Sequence, residues 1–111
     1  MEKTKLIIAI FNPDDEAGLL AGLNKEKIGA TLSSGRGGFL NKKAAIAYIG
    51  VAEKNIDQAL QVIKKACKSR TEYAPQAPTL ADPGELVVSE PVKITIGGAV
   101  VFVIDADMMR F

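Results

Sequence analysis

Residues 32–40, LSSGRGGFL, set three glycines and one arginine between apolar neighbours. Glycines at 35, 37 and 38 reach positive φ without steric cost and leave backbone N–H groups open to an anion. The Arg36 guanidinium can grip a phosphate or carboxylate with two N–H groups at once. The same stretch also reads as a plain turn with no ligand, and the residues alone leave both readings open. It is not a Walker loop, because G-x-x-x-x-G-K-[ST] is absent. It is not a Rossmann fingerprint either, since it is expected between two strands rather than ahead of a helix. Lys27, Lys42 and Lys43 can add positive charge nearby or simply be solvated surface. Asp105 and Asp107 share a face at a strand end. That spacing suits either paired acid–base chemistry or an acidic edge that keeps a strand soluble. Cys67 lies on an apolar helical face and reads as a buried small hydrophobe. The chain has no histidine and a single cysteine, so the commonest general base and metal ligand is missing. No nucleophile–base pair stands out, so an enzyme, a metal site and a bound cofactor are not expected.

The elements that must position these residues follow from apolar period. Leu6–Phe11 (LIIAIF) is a continuous apolar run that predicts a strand buried on both faces. Asn12 then offers a cap, Pro13 suits a first helical position, and Asp14, Asp15 and Glu16 favour the positive end of a helix dipole. Leu19, Leu20 and Leu23 continue at helical spacing to an end near Lys27. Ile28–Ser34 and Ala44–Val51 read as two further strands, with the glycine loop Gly35–Lys43 between them. Glu53–Lys68 is the clearest helix, with Ile56, Ala59, Leu60, Ile63, Ala66 and Cys67 on one face. Residues 70–91 hold four of the five prolines and read as a long loop, with Leu86–Val88 as a short strand inside it. Val92–Ile96 alternates as a strand, Gly97-Gly98 signals a two-residue hairpin, and Ala99–Ile104 returns as the last strand.

Length and composition bound the answer. The 111 residues suit one domain spanning 1–111. A net charge of +1 gives no bulk field toward nucleic acid or an anionic membrane, and aromatics at 5% with no Trp argue against a base-stacking platform for single strands. The first apolar run is too short for a signal core or a membrane span, and a lone cysteine fits a reducing compartment, so a cytoplasmic location is expected. The element order gives an α+β fold of the ferredoxin-like split βαβ kind, βαββαβ, with an extra C-terminal hairpin strand. Two helices would cover one sheet face. The other would expose Ile, Val and Ala side chains, which calls for a partner, most simply a homo-oligomer.

KLIIAI at 5–10, AT at 30–31, GGFL at 37–40, GV at 50–51, Cys67 with Arg70, and PVKITIGGAVVFV at 91–103 stand in this order. Together, over Lys5 to Phe111, they resemble the P-II-like cyclic-di-AMP receptor family of bacterial signal-transduction proteins. The resemblance implies a ferredoxin-like subunit in a homotrimer that is not an enzyme. It implies cyclic-di-AMP in clefts between subunits, bordered by the Gly35–Lys43 loop and the 70–91 loop. Ligand positions that carry over are Thr31, Gly38, Phe39, Leu40, Gly50 and Phe102, with Arg36 and Gly37 added from the loop itself. At four further ligand positions this chain departs from the family. It has Gly29 for an arginine, Lys27 for an asparagine, Ala44 for an asparagine, and Arg110 for a glutamine. Phe39 and Leu40 would sandwich a purine, and Thr31 would bond a base edge or phosphate. The function implied is a sensor that binds a cyclic dinucleotide and relays the event to a protein target. Alternatives at this point are a trimer for another adenine nucleotide or anion, and an interaction module with no small ligand.

Overall fold

The computed structural model describes residues 3–37, 42–74, 79–80, 86–87 and 92–111. Strand β1 (Thr4–Phe11) leads to Asn12, whose side-chain oxygen accepts the Asp14 N–H at 2.9 Å and caps a 3₁₀ turn over Pro13–Asp15. That turn opens directly into helix α1 (Glu16–Lys25), so the capping residues do what their types suggest. The helix closes with the Lys27 N–H on the Asn24 carbonyl and the Ile28 N–H on the Leu23 carbonyl, at 3.0 and 2.9 Å. Lys27 takes φ +58° to make this closure. It is the left-handed ending that glycine usually supplies.

Strands β2 (Thr31–Gly37) and β3 (Lys42–Ala52) follow as a hairpin, then a 3₁₀ turn at Glu53–Asn55 and helix α2 (Ile56–Ala66). Next come β4 (Arg70–Ala74), the short β5 (Thr79–Leu80) and β6 (Leu86–Val87), then β7 (Val92–Ile96) and β8 (Ala99–Ala106). The main sheet runs β2-β3-β1-β8, with each neighbour pair antiparallel. With two crossover helices this is the ferredoxin-like arrangement expected.

Several expectations change. The fourth strand of the main sheet is β8, not Val92–Ile96. Val92–Ile96 pairs instead with β4, in a separate two-stranded ribbon where Arg70 faces Ile96 and Ala74 faces Val92. The start of the supposed 70–91 loop is therefore a strand, and β5 and β6 pair within it. Gly97 and Gly98 do take positive φ, +80° and +83°, but they turn a corner between two sheets rather than closing a hairpin. Finally, Gly35, Arg36 and Gly37 lie in β2, paired with Ala44, Lys43 and Lys42. They do not form the loop.

The helices cover one face of the sheet. Ile7, Ala9 and Phe11 of β1 and Ala45, Ala47, Ile49 and Val51 of β3 are buried there against Leu19, Leu23, Ala59, Ile63 and Cys67. Phe11 and Ile7 are the largest fully buried side chains. The helices come close, since a Cβ on Gly22 would lie 2.8 Å from Val62 Cγ1. Strand β1 is not buried on both faces as its composition suggested. Leu6, Ile8 and Ile10 point to the opposite, open face and are only partly covered. Among the described residues, no helix packs on that face.

Candidate ligand-binding face

Cross-strand register assigns each candidate to a face. Directly paired residues of neighbouring strands lie on the same side of a sheet. Thr31 faces Tyr48, Tyr48 faces Ile8, and Ile8 faces Phe102. These four residues form one row across all four strands of the open face. The adjoining row carries Gly50, Leu6 and Ile104. Three of the candidates, Thr31, Gly50 and Phe102, are thus neighbours on one surface although 71 positions in the sequence separate the first from the last. Tyr48 at 39% exposure, Phe102 at 41% and Ile104 at 48% leave large apolar area in the open. Gly50 has nothing within 4 Å of where a Cβ would stand. It leaves a notch one row along β3 from Tyr48.

The row has chemical order. A hydroxyl stands at the β2 edge, a phenol next to it, an aliphatic side chain in the middle and an aromatic ring at the β8 edge. Ser33, one step along β2, donates its hydroxyl to Tyr48 Oη at 3.5 Å, which ties the phenol toward the polar edge. Such a surface suits a flat heteroaromatic ring lying on apolar groups with polar atoms at its rim. Tyr48 and Ile8 escaped the reading of the sequence. The nearly unbroken apolar run of β3 does not mark which side Tyr48 takes; that shows only once β2 and β1 are placed beside the strand.

The remaining candidates scatter. Gly38, Phe39 and Leu40 lie outside the described residues. Gly37 pairs with Lys42, and Ala44, which is buried, pairs with Gly35; all four hold the register positions of the open face. Arg36 does not. It pairs with Lys43 on the other face of the hairpin, and both side chains are exposed. The register therefore separates Arg36 from the Thr31–Phe102 row. Lys27 and Gly29 are exposed just before β2, and nothing lies within 4 Å of a would-be Gly29 Cβ. Arg110 is exposed in the tail beyond β8.

Two charged groups elsewhere resolve questions raised by the sequence. Asp105 is engaged by a cation. It faces Lys5 across β1 and β8 and accepts a hydrogen bond from Lys5 Nζ, which also lies 3.8 Å from Glu53. That hydrogen bond lowers the Asp105 carboxyl pKa and raises the Lys5 ammonium pKa from their ordinary values. At the far end of the sheet, Arg70 Nη2 donates to Asp15 Oδ1 at 3.1 Å and Nη1 donates to the Lys68 carbonyl at 3.2 Å. Asp15 is only 7% exposed. Beside it the Cys67 thiol is pushed up to about 11 by burial first and the Asp15 carboxylate second, while Arg70 pulls the other way. Cys67 is thus a protonated core residue, as its place on α2 suggested. No cluster of metal-ligating side chains exists among the described residues, and no helix there is long and apolar enough to cross a membrane.

Two solved structures share the architecture. A protein of unknown function from Pediococcus pentosaceus is 31% identical, with a TM-score of 0.76 over 100% of this chain and 99% of its own. The PII protein of Arabidopsis thaliana, solved with citrate, is 21% identical, with a TM-score of 0.63 over 95% of this chain and 78% of its own, and it shows the fold alone. The family model described as cyclic-di-AMP receptor matches residues 4–111. With that match over the open-face row, the hairpin, the ribbon and the tail, the chain belongs to the cyclic-di-AMP receptor family.

Proposed function

We propose that the protein is a cytoplasmic sensor of a cyclic dinucleotide, cyclic-di-AMP in the first instance. Copies associate as a homotrimer through the open sheet face, and the ligand sits in the clefts between them. The observation that carries this reading is the row Thr31–Tyr48–Ile8–Phe102 with the Gly50 notch beside it, in a chain of the cyclic-di-AMP receptor family. An adenine ring lies over the apolar middle of that surface, and Thr31 bonds a base edge or phosphate oxygen. Gly37, Gly38, Phe39 and Leu40 are further ligand contacts in this reading. No bond is made or broken. Binding favours one arrangement of the hairpin and the 70–91 segment, and a protein partner reads that arrangement.

The test is calorimetric titration of the folded oligomer with cyclic-di-AMP, with ATP, ADP, AMP and cyclic-di-GMP in parallel. Saturable binding at about one ligand per chain is the expected result, as symmetry requires of equivalent clefts. No heat with cyclic-di-AMP from an intact oligomer would sink the assignment of that ligand. One observation favours a second reading, in which another adenine nucleotide or anion fills the same cleft. Gly29 and Ala44 supply no polar side chain where the family resemblance implies arginine and asparagine. A stronger response to ATP, ADP or AMP than to cyclic-di-AMP would decide for it.

A further inference from the structure

Asp15 stands at the N-cap position of α1, yet its side chain makes no capping hydrogen bond there. Aspartate at such a position ordinarily accepts a backbone N–H of the first turn. Here Oδ1 accepts from Arg70 Nη2 instead, across 55 positions of sequence. Oδ2 is buried and accepts no hydrogen bond among the described residues. A buried carboxylate without a cation is costly, so Asp15 depends on Arg70. A residue placed to cap its own helix is committed to a contact elsewhere.

Arg70 in turn joins separate passages of the chain. Its backbone opens β4 and pairs with Ile96 of β7. Its Nη1 donates to the Lys68 carbonyl, where the chain leaves α2. The same nitrogen fills the space beside Gly97, where the chain passes from β7 to β8. The ribbon is connected to the body through these two passages, at 68–70 and 96–98, and one guanidinium touches both. Among the described residues the ribbon shares no strand pairing with the main sheet. A two-stranded ribbon is marginal by itself, and the paired glycines at its root add no stiffness of their own. Its direction has to be set where it leaves the body.

From this we propose that Arg70 is a positioning residue, anchored by Asp15, that locks the root of the β4–β7 ribbon to the N-terminal end of α1. Ribbon and sheet then move as one body. The lock works within a single chain, with or without ligand. It sits directly ahead of β8, the strand that carries Phe102, so it also fixes the ribbon relative to the open-face row.

The test is hydrogen exchange read by mass spectrometry on the full chain, on Arg70→Gln, on Asp15→Asn and on the double variant. Amides of 70–74 and 92–96 should exchange about tenfold faster in each single variant, while those of β1 and β3 keep their rates. The response to Asp15→Asn is the telling one, because residue 15 lies outside the ribbon. The double variant should be no faster than either single one, since both remove the same contact. Arg70→Lys should fall between parent and Arg70→Gln, because lysine keeps the charge but lacks the fork that holds two acceptors at once. Should the unpaired Asp15 keep Arg70→Gln from folding, Arg70→Lys and the uncharged double variant carry the same comparison. An Asp15→Asn chain that frays α1 but keeps the ribbon protected would reduce the pair to a helix-end contact and overturn the proposal. Equal acceleration in every strand, or additive effects in the double variant, would overturn it too.

Discussion

Phe102 carries its ring to the β8 end of a row that begins with the Thr31 hydroxyl, and it is the row's one aromatic group without a polar atom. If a base rests there, Phe102→Ala removes a stacking partner worth about 1–3 kcal/mol, or roughly 5- to 150-fold in affinity. Calorimetry on an oligomer of unchanged mass checks it, and unaltered affinity would remove Phe102 from the site. Gly29 works in the opposite direction. Nothing occupies the space its side chain would take, so Gly29→Arg costs little in folding and adds a charged donor near Thr31. A charge-assisted hydrogen bond is worth about 1.5–3 kcal/mol, so affinity for cyclic-di-AMP should rise about tenfold or more, and a flat result would place residue 29 outside the cleft. Cys67 offers a pH test. Its thiol is raised by burial to about 11, so the folded state favours the protonated form. Its contribution is complete below the pKa of an ordinary thiol and is lost as pH rises from there through about 11. Near neutral pH a thiol reagent should therefore react only as fast as the chain unfolds, and rapid modification of native protein would contradict the burial.

At the scale of elements, the two-glycine corner fixes where the ribbon joins the body. A Cβ on Gly97 would lie 2.6 Å from both Arg70 Nη1 and the Lys68 carbonyl oxygen, so the guanidinium fills the place a side chain would need. With φ at +80°, Gly97→Ala carries backbone strain of about 1–3 kcal/mol before the contact is counted. Urea melts should show that loss, whereas Gly29→Ala, in open space, should stay within about 0.5 kcal/mol of the parent. The same corner explains what could be read beforehand. Helix α2 was legible because it buries a face whose period is written in its own residues, and β1 because a short unbroken apolar run reads as a strand, although that run hides which face stays open. Strand β4 was not, because four of the five residues of RTEYA carry polar groups and its strand character comes from pairing with β7 in a ribbon. Gly97-Gly98 has the composition of a hairpin turn, and only the pairing of β8 with β1 shows that the chain changes sheets there. For the candidate site, Thr31, Gly50 and Phe102 followed from family resemblance. Tyr48 and Ile8 needed the register, and so did the transfer of Arg36 to the opposite face. A one-residue difference in strand position reverses the side on which a residue stands.

For the whole molecule, the open face is the dominant fact. Leu6, Ile8, Ile104, Tyr48 and Phe102 share one apolar face, half-buried at its β1 centre and exposed on β3 and β8, the kind of surface a partner covers. A single acid at its centre, Ile8→Glu, should leave the helix-side core intact, because Ile7 and Ala9 carry the packing there. The expected outcome is a folded monomer by circular dichroism and sedimentation. An oligomer that survives the change would put its interface elsewhere. The absence of tryptophan then gives this face a spectroscopic voice. With two tyrosines in the chain, one of them Tyr48 in the central row, ultraviolet emission comes from few places. Quenching or enhancement on adding a nucleotide, or on diluting the oligomer, would report events at the sheet directly. Tyr48→Phe should silence that response while Tyr73 continues to emit from the ribbon, so the protein carries its own label at the surface where its subunits and its ligand are proposed to meet.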